Sequence, residues 1–338
     1  MTLAAGIVGY AAYVPYLRIK KEEYQKAWRG CSADMNEKAV ADLDEDTVTM
    51  AIEAGRQVLK DMDPAGVDIL ALGSANYPYS EKVMSGTVAS ALGLRPNIVC
   101  VEAGGSTLAG TQALLMALEL LEKKERRLAL VLVADNPAAQ PADDIEHGLG
   151  AASCAFLLGK ENVAVRVEGW TSQVRESLGT RFRRSGEASV RDLGIKTLSS
   201  DAYAGTIGPA VKELTSGLGT DPGQYRHVVF SQPGARLTLS LGRSLGFSPE
   251  QMETGLLYKE TGDTGACSAL LGLCAVLDQV EAGERILLAG FGAGAGAQAA
   301  SLVVGGKPQG SGPTIRQCLD RKTYIDYVQY LKIRGHIL

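Results

Sequence analysis

Asn97-Ile-Val-Cys-Val-Glu-Ala-Gly-Gly-Ser-Thr-Leu-Ala-Gly-Thr-Gln-Ala-Leu-Leu-Met-Ala-Leu-Glu-Leu-Leu-Glu122 changes character across a pair of glycines. Ile98 to Val101 is a short β-branched run, Gly104-Gly105 breaks it, and an apolar segment of helix formers begins a few residues later. The pattern predicts a strand, a sharp turn and a buried helix. Ser106, Ala109 and Gly110 are small enough to let that helix pack deep inside the protein. Its first turn offers free N–H groups and the positive end of the helix dipole, a place that favours an anionic nucleophile. The residues on offer there are Ser106 and Thr107.

Upstream, Ala4 to Pro15 reads as a first strand, Lys20 to Trp28 as an amphipathic helix, and Asp44 to about Met62 as a helix with acidic residues at its start. Val67 to Ser74 is a buried strand, and a helix near Val83 to Leu92 leads into the central segment. Arg127 to Ala134 and Ala151 to Gly159 are two more strands, separated by the polar loop Asp135 to Gly150.

After residue 220 the same order returns. Asp63-Pro-Ala-Gly-Val-Asp-Ile-Leu matches Asp221-Pro-Gly-Gln-Tyr-Arg-His-Val, and Ser90-Ala-Leu-Gly-Leu matches Arg243-Ser-Leu-Gly-Phe. Gly105-Ser-Thr-Leu-Ala-Gly-Thr matches Gly262-Asp-Thr-Gly-Ala-Cys-Ser, each ahead of a Leu-rich helix. The strand pair 127–159 then returns as Glu284 to Gly292 with Gln298 to Val304. Four matches in one order predict a duplicated α/β chain whose central helices lie side by side. The division is a first half over residues 1–168, connecting loops and a helix near Thr206 to Leu218 within 169–219, and a second half with its tail over 220–338. In the tail, Gly305 to Pro313 has linker composition and Thr323 to Lys332 reads as a docking helix with alternating aromatics.

A formal charge of −4 with few long basic runs argues against a nucleic-acid partner. The densest basic cluster, Arg181-Phe-Arg-Arg184, could cover an anionic ligand or be a solvated loop. No apolar run approaches a membrane span, and no charged segment precedes an apolar core at the start, so a soluble cytoplasmic protein is expected. The six cysteines show no C-x-x-C pairing, and reduced, buried thiols are expected. His147, His227 and His336 are the only histidines, and none lies at ligand spacing from a cysteine, so no zinc site is expected.

A duplicated α/β chain with a buried helix after a strand turn in each half resembles the thiolase superfamily. Within it the chain is similar to the archaeal form of 3-hydroxy-3-methylglutaryl-CoA synthase. The residues that carry this resemblance are Gly6-Ile-Val-Gly-Tyr-Ala-Ala-Tyr-Val-Pro, Asp44-Glu-Asp-Thr-Val-Thr-Met-Ala, Tyr77-Pro-Tyr, Phe182-Arg-Arg-Ser-Gly-Glu, Phe230-Ser-Gln-Pro-Gly, Gly290-Phe-Gly-Ala-Gly-Ala-Gly and Tyr324-Ile-Asp-Tyr-Val-Gln-Tyr-Leu-Lys-Ile-Arg-Gly. They span almost the whole chain. The resemblance implies a thiolase fold of two pseudo-symmetric βαβαβαββ halves in an αβαβα layering, with a coenzyme A ester as ligand and no covalently bound cofactor.

That family acylates a cysteine from an acyl-CoA and attacks the thioester with a second CoA enolate, using a histidine and a carboxylic acid for proton transfer. Carried over motif by motif, the resemblance puts Thr107 at the nucleophile, three residues before Gly110 of Ala-Gly-Thr. It puts Ala75, ahead of Tyr77-Pro-Tyr, at the carboxylic acid and Ser231, before Gln-Pro, at the histidine. Asp263 falls at the asparagine that helps hold the thioester carbonyl. An alkyl hydroxyl needs an adjacent base to attack a thioester, so Thr107 would react only with Asp263 in reach. Arg183, Arg184, Gly292 and Gly294 are the substrate-binding candidates.

Cys100 and Cys267 lie near the two turns and could replace the nucleophile, but packed core thiols are the expectation for both. Gly290-Phe-Gly-Ala-Gly-Ala resembles a dinucleotide fingerprint, yet its continuation reads as a strand, so a tight turn beside the active cavity is expected. His147 and His227 are read as loop and strand-start residues, and Glu81 and Glu102 as exposed or structural. The resulting expectation is a non-catalytic or accessory subunit, dimeric or hetero-oligomeric, of a complex acting on an acyl-CoA. A similar design is the bacterial acetyltransferase complex that forms diacetylphloroglucinol, which implies a thiolase-like active chain and a small OB-fold, zinc-bearing chain as partners. The alternatives are an enzyme with an altered site, doing condensation, acyl transfer or decarboxylation, and an acyl-CoA-binding module.

Overall fold

A helix that is apolar on every side must lie inside the molecule, and two segments of this chain have that composition. The computed structural model describes residues 4–123 and 125–337. In chain order the first half comprises β1 (Gly6–Tyr13), β2 (Leu17–Lys20), α1 (Lys21–Trp28), β3 (Glu37–Val40), α2 (Thr47–Val58), β4 (Ile69–Gly73), α3 (Ser85–Ala91), β5 (Val99–Ala103), α4 (Ala109–Leu121), β6 (Leu128–Asp135) and β7 (Ala152–Gly159). The second half comprises β8 (Val165–Gln173), α5 (Lys196–Leu218), β9 (His227–Phe230), α6 (Ala235–Ser244), α7 (Pro249–Glu253), α8 (Tyr258–Thr261), α9 (Ser268–Leu277), β10 (Arg285–Gly292) and β11 (Gly296–Val304). The tail adds β12 (Gln309–Gly310), α10 (Ile315–Asp320), β13 (Thr323–Ile325) and α11 (Tyr327–Ile333).

Every residue of α9 is buried, and α4 is buried along most of its length. The two pack in one apolar core between strands β1, β4, β6 and β7 on one side and β8, β10 and β11 on the other. Helices α2 and α3 close the outer face of the first half, and α5 and α6 close that of the second. The result is the αβαβα layering that the family resemblance implies, with the central helices side by side as the duplication predicts. Gly110 sets the spacing of the central layer, because a Cβ there would run into the carbonyl of Ala266 just ahead of α9.

Strand order shows the duplication directly: β5-β4-β6-β7-β1 continues as β8-β11-β10-β9. Within each half an inner parallel pair, β4/β6 or β9/β10, is followed by antiparallel partners. The halves join where Gly6 and Ile7 of β1 pair with Arg166 and Val165 of β8. Even the local turns repeat, since Asp63 and Asp221 each accept from the backbone N–H two residues on, at 3.0 and 2.9 Å, and each precedes a proline.

Three expectations need correction. The second half has no counterpart of β5 among the described residues, so it is not a full βαβαβαββ unit. The chain there folds into α7 and α8 instead, started by Pro249 in the first turn and a Ser248–Gln251 capping box. Helix α5 begins at Lys196, well before Thr206, because Tyr203, Ile207 and Val211 share a face buried against the second half, which compensates for the Ser, Thr and Gly in its early turns. Residues 323–325 form a strand parallel to β2, and the helix starts only after Asp326, whose carboxylate caps Gln329 N at 2.7 Å. Among the described residues no helix is long and apolar enough to cross a membrane.

Helix α11 covers a buried ion pair. Lys38 on β3 donates to the carbonyl and a carboxylate oxygen of Glu146 at 2.5 and 3.2 Å, with the rings of Tyr24 and Tyr330 about its ammonium. Burial pushes the Lys38 ammonium down to about 8, against the attraction of Glu146.

Two variants test this architecture. Gly110→Ala should cost about 1–3 kcal/mol in urea unfolding, since backbone must move to admit the methyl group; an unchanged midpoint would mean that the central helices are not in direct contact. Lys38→Met leaves Glu146 buried without its cation and should cost about 3 kcal/mol. The unfolded chain holds the Lys38 proton above pH 8 where the folded chain has lost it, so this residue's contribution to stability rises with pH from about 8 towards 10.5. The gap between wild type and variant should therefore widen from pH 7 to pH 10, and a constant gap would refute the depressed value.

Candidate active site

The turn between β5 and α4 needs Gly105, which sits at φ +78 where L residues are strained. Ser106 Oγ accepts from Leu108 N at 3.0 Å, closing the first turn without a true side-chain cap at Leu108. Thr107 is half-buried, and its hydroxyl donates to the carbonyl of Phe291 at 2.8 Å. The other side of Phe291 is held by Ser231, whose Oγ accepts the Phe291 N–H at 3.0 Å. Ser231 is itself fixed through its carbonyl, which accepts from the Tyr203 hydroxyl at 2.5 Å. Thr107 and Ser231, placed together by sequence, therefore meet at one residue of β10. Gly292 lets β10 come this close, because a side chain there would strike Ser106 and the backbone at Leu108.

Asp263 lies in the turn before α9. Its N–H donates to the Gly148 carbonyl at 2.7 Å, one carboxylate oxygen accepts Gly265 N at 2.9 Å, and the other pairs with the Arg181 guanidinium. The carboxylate is thus committed to Gly265 and Arg181, not to Thr107.

A residue that the sequence pattern leaves in the polar loop ties the segment after β4 to the turn ahead of α9. Asp135, fully buried at the end of β6, accepts from Ser74 Oγ at 2.6 Å, Ala75 N at 2.9 Å, Asn76 N at 3.1 Å and Ala266 N at 2.6 Å. Burial pushes its carboxyl up, opposed by the hydrogen bonds from Ala266 and Ser74 and by the Arg181 charge. One signal was available: a single acid closing the apolar run Leu128 to Ala134.

Ala75 brings only a methyl group and a backbone donor to this wall. Of the binding candidates, Arg183 and Arg184 are both exposed, and Arg183 donates to Asn76 Oδ1 at 2.5 Å, beside Ala75. Gly294 is at the tip of the β10–β11 hairpin, at φ +71 with open space around it, so the Gly-rich run is a hairpin turn as expected. A cavity of about 570 Å³ opens at the opposite end of the first half, lined by Val8, Met62, Arg127, Leu128 and Lys160 among others, and none of Thr107, Ser231 and Asp263 borders it.

The substitute nucleophiles separate. Cys267 is a core thiol, 3.3 Å from Cys154, and burial pushes the Cys154 and Cys274 thiols up. Cys100 is not a core thiol: it lies exposed on β5, an edge strand of the sheet. The strand's alternation turns it outward, a direction that apolar neighbours in sequence do not reveal. His147 is turned to Ser32, with Nδ1 2.9 Å from its Oγ, and His227 to Glu284 at 3.4 Å. Burial lowers both imidazoles, and neither is bonded to a site hydroxyl. Glu102 accepts Ser85 N at 2.5 Å, a structural role, and Glu81 is exposed.

Comparison with known proteins places this geometry in a family. Residues 216–304 match the family described as 3-oxoacyl-[acyl-carrier-protein (ACP)] synthase III C terminal. A hydroxymethylglutaryl-CoA synthase of Methanocaldococcus jannaschii is 36% identical, covering 98% of this chain and 99% of its own. The chain belongs to the hydroxymethylglutaryl-CoA synthase family. A synthase-family relative from Pyrococcus furiosus is 35% identical over 97% of this chain and 95% of its own. The fold agrees with a solved HMG-CoA synthase complexed with CoA at a TM-score of 0.87, with 21% identity and coverage of 97% of this chain and 90% of that one. It also agrees with MvaS in complex with 3-hydroxy-3-methylglutaryl coenzyme A, at 0.84 with 19% identity, covering 99% and 92%. In this synthase-family chain the turn ahead of α4 therefore offers a hydroxyl bonded to a peptide carbonyl, and the turn ahead of α9 offers a carboxylate neutralised by an arginine.

Alkylation by iodoacetamide, read peptide by peptide, checks the thiol assignment. Cys154, Cys267, Cys274 and Cys318 should stay unmodified in the native protein and react on unfolding; native labelling of Cys267 would restore it as a candidate nucleophile.

Proposed function

We propose that this chain is a synthase-like accessory subunit of an acyltransferase complex acting on an acyl-CoA, with no acyl-enzyme chemistry of its own. The observation that carries this reading is the sharing of Phe291. The Thr107 hydroxyl spends its proton on the Phe291 carbonyl, and Ser231 receives the Phe291 N–H. Asp263 is tied to Arg181, and among the described residues no carboxylate or imidazole is hydrogen-bonded to the Thr107 hydroxyl. On the motif correspondence Thr107, Ser231 and Ala75 stand where the family has its cysteine, histidine and carboxylic acid, which removes the thiolate and both proton-transfer groups together. A coenzyme A ester is the proposed ligand, by analogy with the CoA complexes of the solved relatives. The partner in this reading is a thiolase-like chain that supplies the nucleophile, with a small OB-fold, zinc-bearing chain as third component, and the compartment is the cytoplasm.

A second reading, an enzyme in its own right with an altered site, is favoured by the names of the relatives, which are synthases along their whole length. Following loss of acetoacetyl-CoA in the presence of acetyl-CoA separates the two. The purified chain should give no turnover above the blank, and co-expression with a thiolase-like chain should give a stable hetero-oligomer. Turnover by the chain alone that disappears in Thr107→Ala would overturn the accessory reading in favour of the enzyme.

A further inference from the structure

The cavity of about 570 Å³ at the far end of the first half lies apart from Thr107, Ser231 and Asp263. Its floor is apolar, made by Val8 on β1, Leu128 at the start of β6, Leu157 on β7, and Val58 and Met62 at the end of α2. Val58 and Leu157 are buried in the outer core of the first half, and Val8, Met62 and Leu128 are half-buried against it. The hollow is thus a place where that core opens to solvent, and its volume lies within the range of about 300–1,000 Å³ typical of small-molecule sites.

Three cations, Arg126, Arg127 and Lys160, border this floor, and none is in an ion pair among the described residues. Arg126 Nη1 reaches the Leu120 carbonyl at 3.4 Å and Lys160 Nζ donates to the Lys123 carbonyl at 2.7 Å, which leaves each with further donors. Arg127 gives only its backbone N–H to Asp68, whose carboxylate is paired with the Arg95 guanidinium. None of the three caps α2, whose carbonyl end is closed by its own backbone through Leu59 N and Gly55 O at 3.0 Å. Two carboxylates, Asp61 and Glu161, also stand at the rim, both exposed and paired with none of the cations.

The second half supplies an internal control. Asp68 N donates to Leu128 O as Arg226 N donates to Arg285 O, both at 2.9 Å, so Arg127 corresponds to Glu284. Strand register, with Leu128 opposite Gly159 and Arg285 opposite Val303, sets Lys160 against Val304. The equivalent hollow, about 410 Å³, is bordered by Arg226, Glu284 and Arg285. There the charges are neutralised, Arg226 by Glu284 at 3.6 Å and Arg285 by Glu168 at 2.9 Å. The fold therefore does not require unpaired cations at this place, and only the first half sets them around an apolar floor.

We propose that this hollow is a second ligand site, binding a small amphipathic anion whose apolar body of roughly eight carbons lies on the floor and whose single carboxylate or phosphate faces Arg126, Arg127 and Lys160. No bond is made or broken there, and the acyl-CoA reading above is not needed for it.

Titration calorimetry of the full chain with octanoate, octyl phosphate, octylamine, acetate and inorganic phosphate tests the site. Octanoate or octyl phosphate should bind at least about tenfold tighter than octylamine, which shares the apolar body, and than acetate or phosphate, which share the head; tenfold is the scale of one charge-assisted pair. The better of the two octyl anions identifies the head group. Arg127→Gln and Lys160→Gln should each weaken that binding about tenfold, and Met62→Glu, which sets a carboxylate on the floor, at least as much. Arg127 is exposed, so its variant keeps the test available if Met62→Glu fails to fold. Octylamine, acetate or phosphate binding as tightly as the octyl anions overturns the proposal. A preference untouched by Arg127→Gln and Lys160→Gln overturns it too, by placing the ligand elsewhere on the chain, as does binding of none of the five compounds.

Discussion

The start of α4 and the turn before α9 touch through backbone. Gly110 against the Ala266 carbonyl leaves no room for a side chain, and Gly73, Gly290 and Gly292 bring the flanking strands equally close. A close-packed interior cannot absorb even a methyl group at such points without moving rigid elements. The five layers, the order of the strands and the position of every site residue follow from that approach. Asp135 supplies what glycine cannot, a buried acceptor for N–H groups of the segment after β4 and of the turn before α9 at once.

The site is polar but internally satisfied. Hydroxyl, carboxylate and guanidinium groups mostly find partners in the chain itself, which lowers the cost of burying them and lowers their reactivity for the same reason. Thr107 and Ser231 stabilise the end of β10, and Asp263 holds the basic loop through Arg181. Arg183 stands apart, with a neutral partner in place of a carboxylate.

The duplicated pattern around 97–122 and 262–277 made the central layer legible, because strand, glycine turn and buried helix leave a compositional signature at short range. The same holds for the Asp-Pro turns. What escaped depended on partners distant in sequence. Asp135 looks like the first residue of a loop until Ser74 and Ala266 are seen converging on it. Cys100 looks like a core thiol until its strand proves to be an edge. Residues 323–325 have a helix-like pattern that pairing with β2 overrides. Among the candidate residues Thr107 and Asp263 lie in the turns ahead of α4 and α9 and Ser231 just past β9, while their bonding partners Phe291 and Arg181 were not legible in the sequence.

The pairing of Thr323 with Leu17 also bears on how the chain is made. Strand β2 is joined by β3 on one side but waits for β13 on the other, and β1 waits for β8 and β12. During synthesis the first half would emerge with these edges open, and long-range pairings of this kind are slow to form and prone to aggregate while unpaired. The first half is therefore a poor candidate for expression by itself, and its yield in a heterologous host would depend on chaperones that shield those edges.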